Sequence, residues 1–233
     1  MTAVTVPTTA ADLAVDPART SRTMPLFAAT AGITGFLGSA VLWLWVSPEI
    51  KQRGPEAVVE ALAEARMSMH IGTSITWLSV FALIGFTVHY LRFLARGAGD
   101  ASTLVHTARL GLTAGIGAMV VTTSLKAVVV GGIPGGIDAA MYDAQDVSTL
   151  HLLSDQLQWV GWMGVVVAMA VTAVLALRQR VLPRWFGILS GAFVTLVAGM
   201  TLVLGLPYSA GLAAPIWLLV AAVVLFRTRR REG

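Results

Sequence analysis

The chain has 233 residues, of which 56% are hydrophobic and only 12% are charged, and its mean hydropathy is +0.78. Long apolar blocks alternate with charged or Gly/Pro-rich segments, which is typical of a polytopic membrane protein. The absence of cysteine excludes disulfides, thiolate metal sites, cysteine nucleophiles and covalent c-type haem. The net charge is +4, but the basic residues lie at the ends of the apolar blocks, so we expect no nucleic-acid partner.

The N-terminal part of the chain predicts a tail, a first span and a surface helix. Residues 1–24 are rich in Thr and Ala and lack a signal-peptide core, so we expect a disordered cytoplasmic tail. The first span is predicted at 25–46, with Trp43 and Trp45 at its far interface. Residues 55–67 alternate glutamates with apolar residues at helical spacing, which predicts an amphipathic helix on the outer surface.

Five more spans follow, and together with the first they form one membrane domain over residues 25–227. Ser148 is the expected N-cap of the fourth span. The sixth span is short for a full crossing, so we expect it to begin earlier, thin the bilayer or rely on snorkelling arginines. Residues 228–233 are predicted to be a basic cytoplasmic tail. The five predicted spans are 69–93, 103–130, 149–178, 184–206 and 212–226.

The distribution of basic residues predicts the orientation of this bundle. Placing both termini in the cytoplasm puts eleven Lys and Arg residues inside and three outside, in agreement with the positive-inside rule. The three outer ones are Lys51, Arg53 and Arg66. The inner ones are Arg19, Arg22, Arg92, Arg96, Arg178, Arg180, Arg184, Arg227, Arg229, Arg230 and Arg231. We therefore expect an all-α, six-helix protein of the plasma membrane with both termini cytoplasmic.

The fourth span carries a polar stripe that needs partners inside the membrane. His151, Asp155, Gln158 and Trp162 follow one another at intervals of four, three and four residues, so they share one helix face. Ionisable groups within hydrocarbon are costly unless they are paired or line a cavity. Lys126, near the outer end of the third span, is predicted at similar depth and is expected to form an ion pair with Asp155.

The polar stripe on the fourth span is compatible with two roles, either acid–base chemistry in an enzyme or a structural role alone. In an enzyme, Asp155 would be the general acid or base, His151 its relay, Lys126 an electrostatic stabiliser and Gln158 a hydrogen-bond partner of the substrate. The structural alternative is a salt bridge between Lys126 and Asp155 that only stabilises the bundle.

A second imidazole near the start of the second span suggests a cofactor. His70 is followed by Trp77, much as His151 is followed by Trp159. The two imidazoles could ligate a haem b iron axially, or hold a metal ion with Asp155 as third ligand. Trp77, Gln158 and Trp162 would then line the cofactor. The alternative is that these His and Trp residues only anchor the helices at the interface.

Three classes of function remain open from these residues. The first is a protein that binds a cofactor or a lipophilic small molecule in an outer-leaflet pocket between spans two to four. The second is an intramembrane enzyme acting on a lipophilic substrate. The third is a non-catalytic subunit or carrier. The expected partners are the lipid bilayer, another membrane protein or a second copy of the chain.

The last third of the chain resembles a known group of proteins. From His151, the chain has a His-bearing helix, then Leu182-Pro183-Arg184-Trp185-Phe186-Gly187, a Gly-rich helix and a final helix ending in arginines. This order resembles a family of six-helix bacterial membrane proteins of unknown function. The His-to-Trp helix openings are also similar to those of small haem- or copper-handling membrane proteins such as the copper-resistance D type. These resemblances imply a six-helix fold and no specific activity.

Overall fold

The computed structural model describes residues 17–99 and 102–230, with side chains from Thr23 to Thr228. These residues form eight α-helices and no strand, which confirms the all-α prediction for this part of the chain. The helices are α1 (Pro17–Phe36), α2 (Pro48–Gln52), α3 (Pro55–Glu64), α4 (Arg66–Ala98), α5 (Thr103–Gly132), α6 (Ala144–Val174), α7 (Arg184–Leu204) and α8 (Ser209–Arg230).

Six of these helices are long and apolar enough to cross a membrane. They correspond to the six predicted spans, so the prediction of a multi-pass helical bundle is confirmed at this level for the described residues. The last span was predicted to be short, but α8 begins at Ser209 and has 22 residues. At about 1.5 Å of rise per residue this is roughly 33 Å, enough to cross the hydrocarbon layer.

The first helix begins earlier and ends earlier than predicted. It starts at Pro17, so residues 17–24 are helical and not a disordered tail, and the remainder of the predicted tail lies outside the described residues. The helix ends in a π-helical turn over Leu37–Val41, in which the Leu42 N–H donates to the Leu37 carbonyl at 2.9 Å. The predicted helical residues 42–46 therefore form an irregular segment.

The fourth span also begins before its predicted start. The N-cap of α6 is Asp143, whose carboxylate accepts from the Asp146 N–H at 2.8 Å, while the Asp146 carboxylate accepts from the Asp143 N–H at 3.4 Å. This capping box satisfies donors at the helix start. The expected cap at Ser148 was wrong because the aspartate pair opens the helix five residues earlier.

Small residues bring α5 and α6 into close antiparallel contact. A Cβ at Gly115 would lie 2.6 Å from the Gly161 carbonyl oxygen and 2.9 Å from the Gly164 Cα, and Gly111 packs on Val167. The spacing of Gly111 and Gly115 is the small-residue pattern that permits such an approach. This contact fixes the position of Lys126 on α5 relative to the polar stripe of α6.

The short helix α3 covers one end of the bundle, which we call the α3 end. Its glutamates Glu56, Glu60 and Glu64 are exposed, while Val58 and Leu62 are buried, as the amphipathic pattern predicted. The apolar face packs in a cluster with Trp43, Val46, Met69, Val129, Val130, Ile133 and Val147. The predicted extension of α3 to residue 67 is wrong, since α3 ends at Glu64 and α4 begins at Arg66.

Candidate functional site

Lys126 lies inside the bundle and has no exposed surface. Its ammonium donates a hydrogen bond to the Gly38 carbonyl oxygen at 3.3 Å and lies 4.5 Å from the centre of the Trp43 ring. The π-helical turn makes this bond available, because the Leu42 N–H bonds Leu37 and leaves the Gly38 carbonyl without that backbone donor. A π-turn is often found at functional positions, and here its carbonyl and the Trp43 ring stabilise a buried cation.

Trp43 connects this cation to the stripe on α6. The indole is 5% exposed and stacks on the His151 imidazole, with ring centres 5.4 Å apart and planes inclined by 24°. His151 itself is 1% exposed. The irregular segment after α1 therefore places an aromatic ring between residues of α5 and α6, where the sequence predicted only an interface anchor.

Asp155 and Gln158 extend the same cluster one and two turns further along α6. The Gln158 Nε2 donates to the Asp155 carboxylate at 3.3 Å and to the Asp155 carbonyl at 3.2 Å. The carboxylate also interacts electrostatically with Lys126 and with the exposed Lys51 of α2. We call Trp43, Lys126, His151, Asp155 and Gln158 the polar core cluster.

The ion pair expected between Lys126 and Asp155 is not a direct one. The hydrogen bond of the ammonium goes to Gly38, and the two charges interact through space. The sequence could place the two residues at similar depth, but it could not show that the turn at Gly38 supplies an acceptor nearer to the ammonium.

Several buried polar atoms of the cluster have no hydrogen-bond partner among the described residues. They are both ring nitrogens of His151, the Gln158 Oε1 and the Trp43 Nε1, the last of which faces Asp155 without hydrogen-bonding geometry. The Trp162 Nε1, one turn beyond Gln158, is also unpaired. Each unsatisfied buried group costs about 1–3 kcal/mol, so these atoms call for an explanation in terms of water, a proton or a ligand.

A cavity of about 410 Å³ opens beside Asp155, and we call it the Asp155 cavity. Three aromatic side chains contribute to its wall: Trp45 after α1, Trp159 on α6 and Tyr208 before α8. The Trp159 ring lies against Gly211, where a side chain would collide with it. Asp155 is 4% exposed and is the one member of the polar core cluster that lines this cavity. Its lining residues are Trp45, Asp155, Gln156, Trp159, Tyr208 and Leu212.

The structure does not bring His70 and Trp77 to this site. His70 is exposed and, with Trp77, lines a different cavity of about 370 Å³ between α4 and α5. This cavity and the Asp155 cavity share no lining residue. The predicted metal set of His70, His151 and Asp155 was therefore wrong, and the described residues contain no group of three His, Asp or Glu placed to hold a metal. His151 lines neither of these two cavities, so no shared cavity supports the haem prediction, which stays a prediction.

Trp162 is buried in the apolar core and not in a cavity wall. Its ring lies against Gly35 of α1, beside the Ser79 hydroxyl of α4. Of the predicted site residues, Lys126, His151, Asp155 and Gln158 come together, Trp162 lies next to them, and His70 and Trp77 lie elsewhere.

Sequence reasoning missed two contributors from the first span. Trp43 and Gly38 join the site because α1 ends early and turns inward. A usable signal was the run of small residues Gly35, Gly38 and Ser39, which marks a face that can approach other helices closely. The π-helical turn itself has no sequence signature that we recognise.

The chain matches no protein-family model, and comparisons with curated proteins and with solved structures found no match either. The resemblance of the last third to a six-helix bacterial family therefore stays a prediction.

Proposed function

We propose that this multi-pass membrane protein binds a lipophilic small molecule in the Asp155 cavity. The observation that carries the proposal is the position of Asp155, which belongs both to the buried polar core cluster and to the lining of an aromatic cavity. A ligand that enters the cavity therefore meets a carboxylate connected to Lys126 and Gln158. Intramembrane ionisable groups with this kind of access are functional candidates by default.

The walls of the cavity support a lipophilic ligand. Its rim is formed by side chains that are exposed on the surface of an apolar helix bundle, with Trp45 63%, Tyr208 42% and Leu212 48% exposed. Its volume is within the range of about 300–1,000 Å³ that holds small organic ligands. A carboxylate at the base favours a ligand with a hydrogen-bond donor at one end, since an ionised carboxylate only accepts.

The second candidate is acid–base chemistry on such a molecule inside the membrane. It is favoured by the unpaired ring nitrogens of His151, which lies one turn before Asp155 on α6. Asp155 would exchange a proton with the ligand, His151 would relay it, and Lys126 would stabilise negative charge. No contact described here favours the subunit or carrier class, which stays a prediction.

We also propose that both termini face the cytoplasm of a plasma-membrane protein, so that the α3 end is extracytoplasmic. The charge bias across the predicted loops supports this orientation. Reporter fusions after Arg96 and Arg180 should read cytoplasmic, and a fusion after Gly135 should read external. An internal signal from the Gly135 fusion would place the Asp155 cavity in the opposite leaflet and contradict the orientation.

Mass spectrometry of small molecules that co-purify with the full chain tests ligand binding. Leu212→Trp fills the cavity, Asp155→Asn removes its charge, and Leu196→Trp is a matched control on the exposed face of α7. We expect a lipophilic molecule to accompany the wild type and Leu196→Trp and to be lost from the other two. Equal retention by all four proteins, each folded by circular dichroism, would contradict the proposal.

A further inference from the structure

The second cavity lies between the first turns of α4 and the end of α5, and we call it the Arg66 cavity. It has a volume of about 370 Å³, and the loop after α5 contributes to its wall. It shares no lining residue with the Asp155 cavity, so its occupant is independent of the function proposed above. Its lining residues are Arg66, His70, Thr73, Ser74, Trp77, Ala127, Val130, Gly131, Gly136 and Ile137.

The polar side chains are concentrated at one end of this cavity. Arg66 is the first residue of α4, His70 follows one helical turn later, and Ser74 follows another turn later on the same face. Trp77 lies deeper still, opposite Ala127 and Val130 of α5. The cavity therefore changes from cationic at its mouth to apolar at its base.

The guanidinium of Arg66 has no ion-pair or hydrogen-bond partner among the described residues. It lies against Gly135 of the loop, where a side chain would collide with it. The lining contains no acidic residue, and the carboxylate of Asp138, outside the lining, lies beside Gly131 on the α5 side. An anion in this cavity would therefore bind on the α4 side, where Arg66 and His70 can donate to it.

The loop that borders the mouth presents apolar side chains to its surroundings. Ile137 is 95% exposed and Met141 is 76% exposed, although the loop also contains Asp138 and Asp143. Large exposed apolar residues in a short loop at the end of a membrane span are typical of contact with the bilayer interface. We therefore expect the mouth of the cavity to lie at headgroup depth and its apolar base at acyl-chain depth.

We propose that the Arg66 cavity binds one anionic membrane lipid, with its phosphate or carboxylate headgroup on Arg66 and His70 and an acyl chain reaching Trp77. The cation, imidazole and hydroxyl along one face suit the headgroup, and Trp77, Ala127 and Val130 suit the chain. A small anion alone would not account for the apolar base of the cavity, and an apolar molecule alone would not account for the unpaired Arg66 at its mouth.

The test titrates the full chain in mixed micelles with phosphatidic acid that carries bromine atoms on its acyl chain. Bromine quenches tryptophan fluorescence on contact, so the wild type should show a saturable component of quenching that is absent in Trp77→Phe, beyond the quenching of exposed tryptophans such as Trp45. Arg66→Gln should weaken the apparent affinity about tenfold, which corresponds to the loss of a charged hydrogen bond. Arg53→Gln, an exposed arginine at the same end, is the control and should bind as the wild type does.

Other outcomes would overturn the proposal. Equal affinities of Arg66→Gln and Arg53→Gln would remove Arg66 from the site. Arg66→Lys keeps the charge and should bind more tightly than Arg66→Gln, so a Lys variant as weak as the Gln variant would contradict recognition of an anionic headgroup by the charge. Equal quenching by brominated phosphatidylcholine would show that no anionic headgroup is selected. Displacement of the lipid by millimolar inorganic phosphate would identify a phosphate site in place of a lipid site. Unchanged quenching in Trp77→Phe would place the acyl chain elsewhere.

Discussion

Two buried polar regions of this bundle differ in how their hydrogen-bonding groups are satisfied. Away from the α3 end, the Tyr90 hydroxyl bonds the Thr172 hydroxyl, and the Trp217 Nε1 donates to the Ser190 Oγ at 2.9 Å. Thr172 and Ser190 in turn donate to backbone carbonyls at 2.6 and 2.7 Å. We call these four residues, with Phe86 and Phe186 stacked beside them, the aromatic cluster.

In the polar core cluster the corresponding groups are left unpaired. His151 is as buried as Trp217, yet neither of its nitrogens has a hydrogen-bond partner among the described residues, and the Gln158 Oε1 has none either. Because unpaired buried groups reduce the stability of a fold, a region that served only packing would favour the arrangement of the aromatic cluster. The difference is the one expected if the aromatic cluster holds the helices together and the polar core cluster meets a ligand or a proton, as proposed above.

The largest effect should follow truncation in the aromatic cluster. Trp217→Ala removes a fully buried indole and should lower the free energy of unfolding by about 3–5 kcal/mol. Trp217→Phe keeps most of the packing and loses the bond to Ser190, so we expect about 1 kcal/mol. Thermal unfolding in detergent, followed by circular dichroism, measures both. Equal losses for the two variants would show that the hydrogen bond, and not packing, dominates this region.

A double-mutant cycle on Lys126 and Asp155 probes the other region. Asp155→Asn leaves a buried cation without its nearest negative charge, and Lys126→Met does the converse, so each should lower stability, with a coupling energy of about 0.5–3 kcal/mol. The double variant should fold nearly as well as the wild type, because no buried charge remains. It should nevertheless fail to retain the co-purifying molecule. Recovery of both stability and binding would reduce the pair to a structural one and contradict the comparison.

The close contact between α5 and α6, which positions Lys126 in the polar core cluster, can be tested with two glycine substitutions in α5. Gly115→Ala places a methyl group against the Gly161 carbonyl and Gly164, and should cost about 1–3 kcal/mol by separating α5 from α6. Gly117→Ala, two residues away, meets no atom within 4 Å and should stabilise by about 0.5–1 kcal/mol. The two unfolding midpoints should move in opposite directions. A stabilising Gly115→Ala would show that the close approach of these helices is not required.

Much of the scaffold could be predicted from the sequence, because long apolar blocks admit few alternatives in a membrane. The stripe of His151, Asp155 and Gln158 was also predictable, since polar residues at helical spacing are rare in such blocks. Their proximity to Lys126 followed from the antiparallel order of neighbouring helices.

The other features of the site, namely the buried face of α4 and the end of α1, do not follow from any periodic pattern in the sequence. In a helix that is apolar on nearly every side, such as α4, the apolar pattern does not identify the buried face, so the sequence could not show that His70 lies in a separate cavity. The end of α1 was set by a π-helical turn, which moved Trp43 from the predicted interface into the interior. Both errors concern the rotation or register of a helix, which tertiary packing decides.

The smallest effects are expected from two single substitutions to phenylalanine, one in each cluster. His151→Phe keeps a flat ring for stacking on Trp43 and removes two nitrogens that have no partner among the described residues. We therefore expect the free energy of unfolding to change by less than about 0.5 kcal/mol. Tyr90→Phe keeps its stacking on Phe86 and loses the bond to Thr172, which should cost about 0.5–1.5 kcal/mol.

The same pair of variants separates stability from chemistry. Because His151 does not line the Asp155 cavity, His151→Phe should still retain the co-purifying molecule, and any loss of cellular function would then assign the imidazole to proton transfer. Tyr90→Phe should keep that function in proportion to the protein that remains folded. If His151→Phe lowers the free energy of unfolding more than Tyr90→Phe does, a bound water must pair with the imidazole. The two clusters would then differ only in whether water or protein satisfies their buried polar groups, and the comparison would no longer support a functional role for His151.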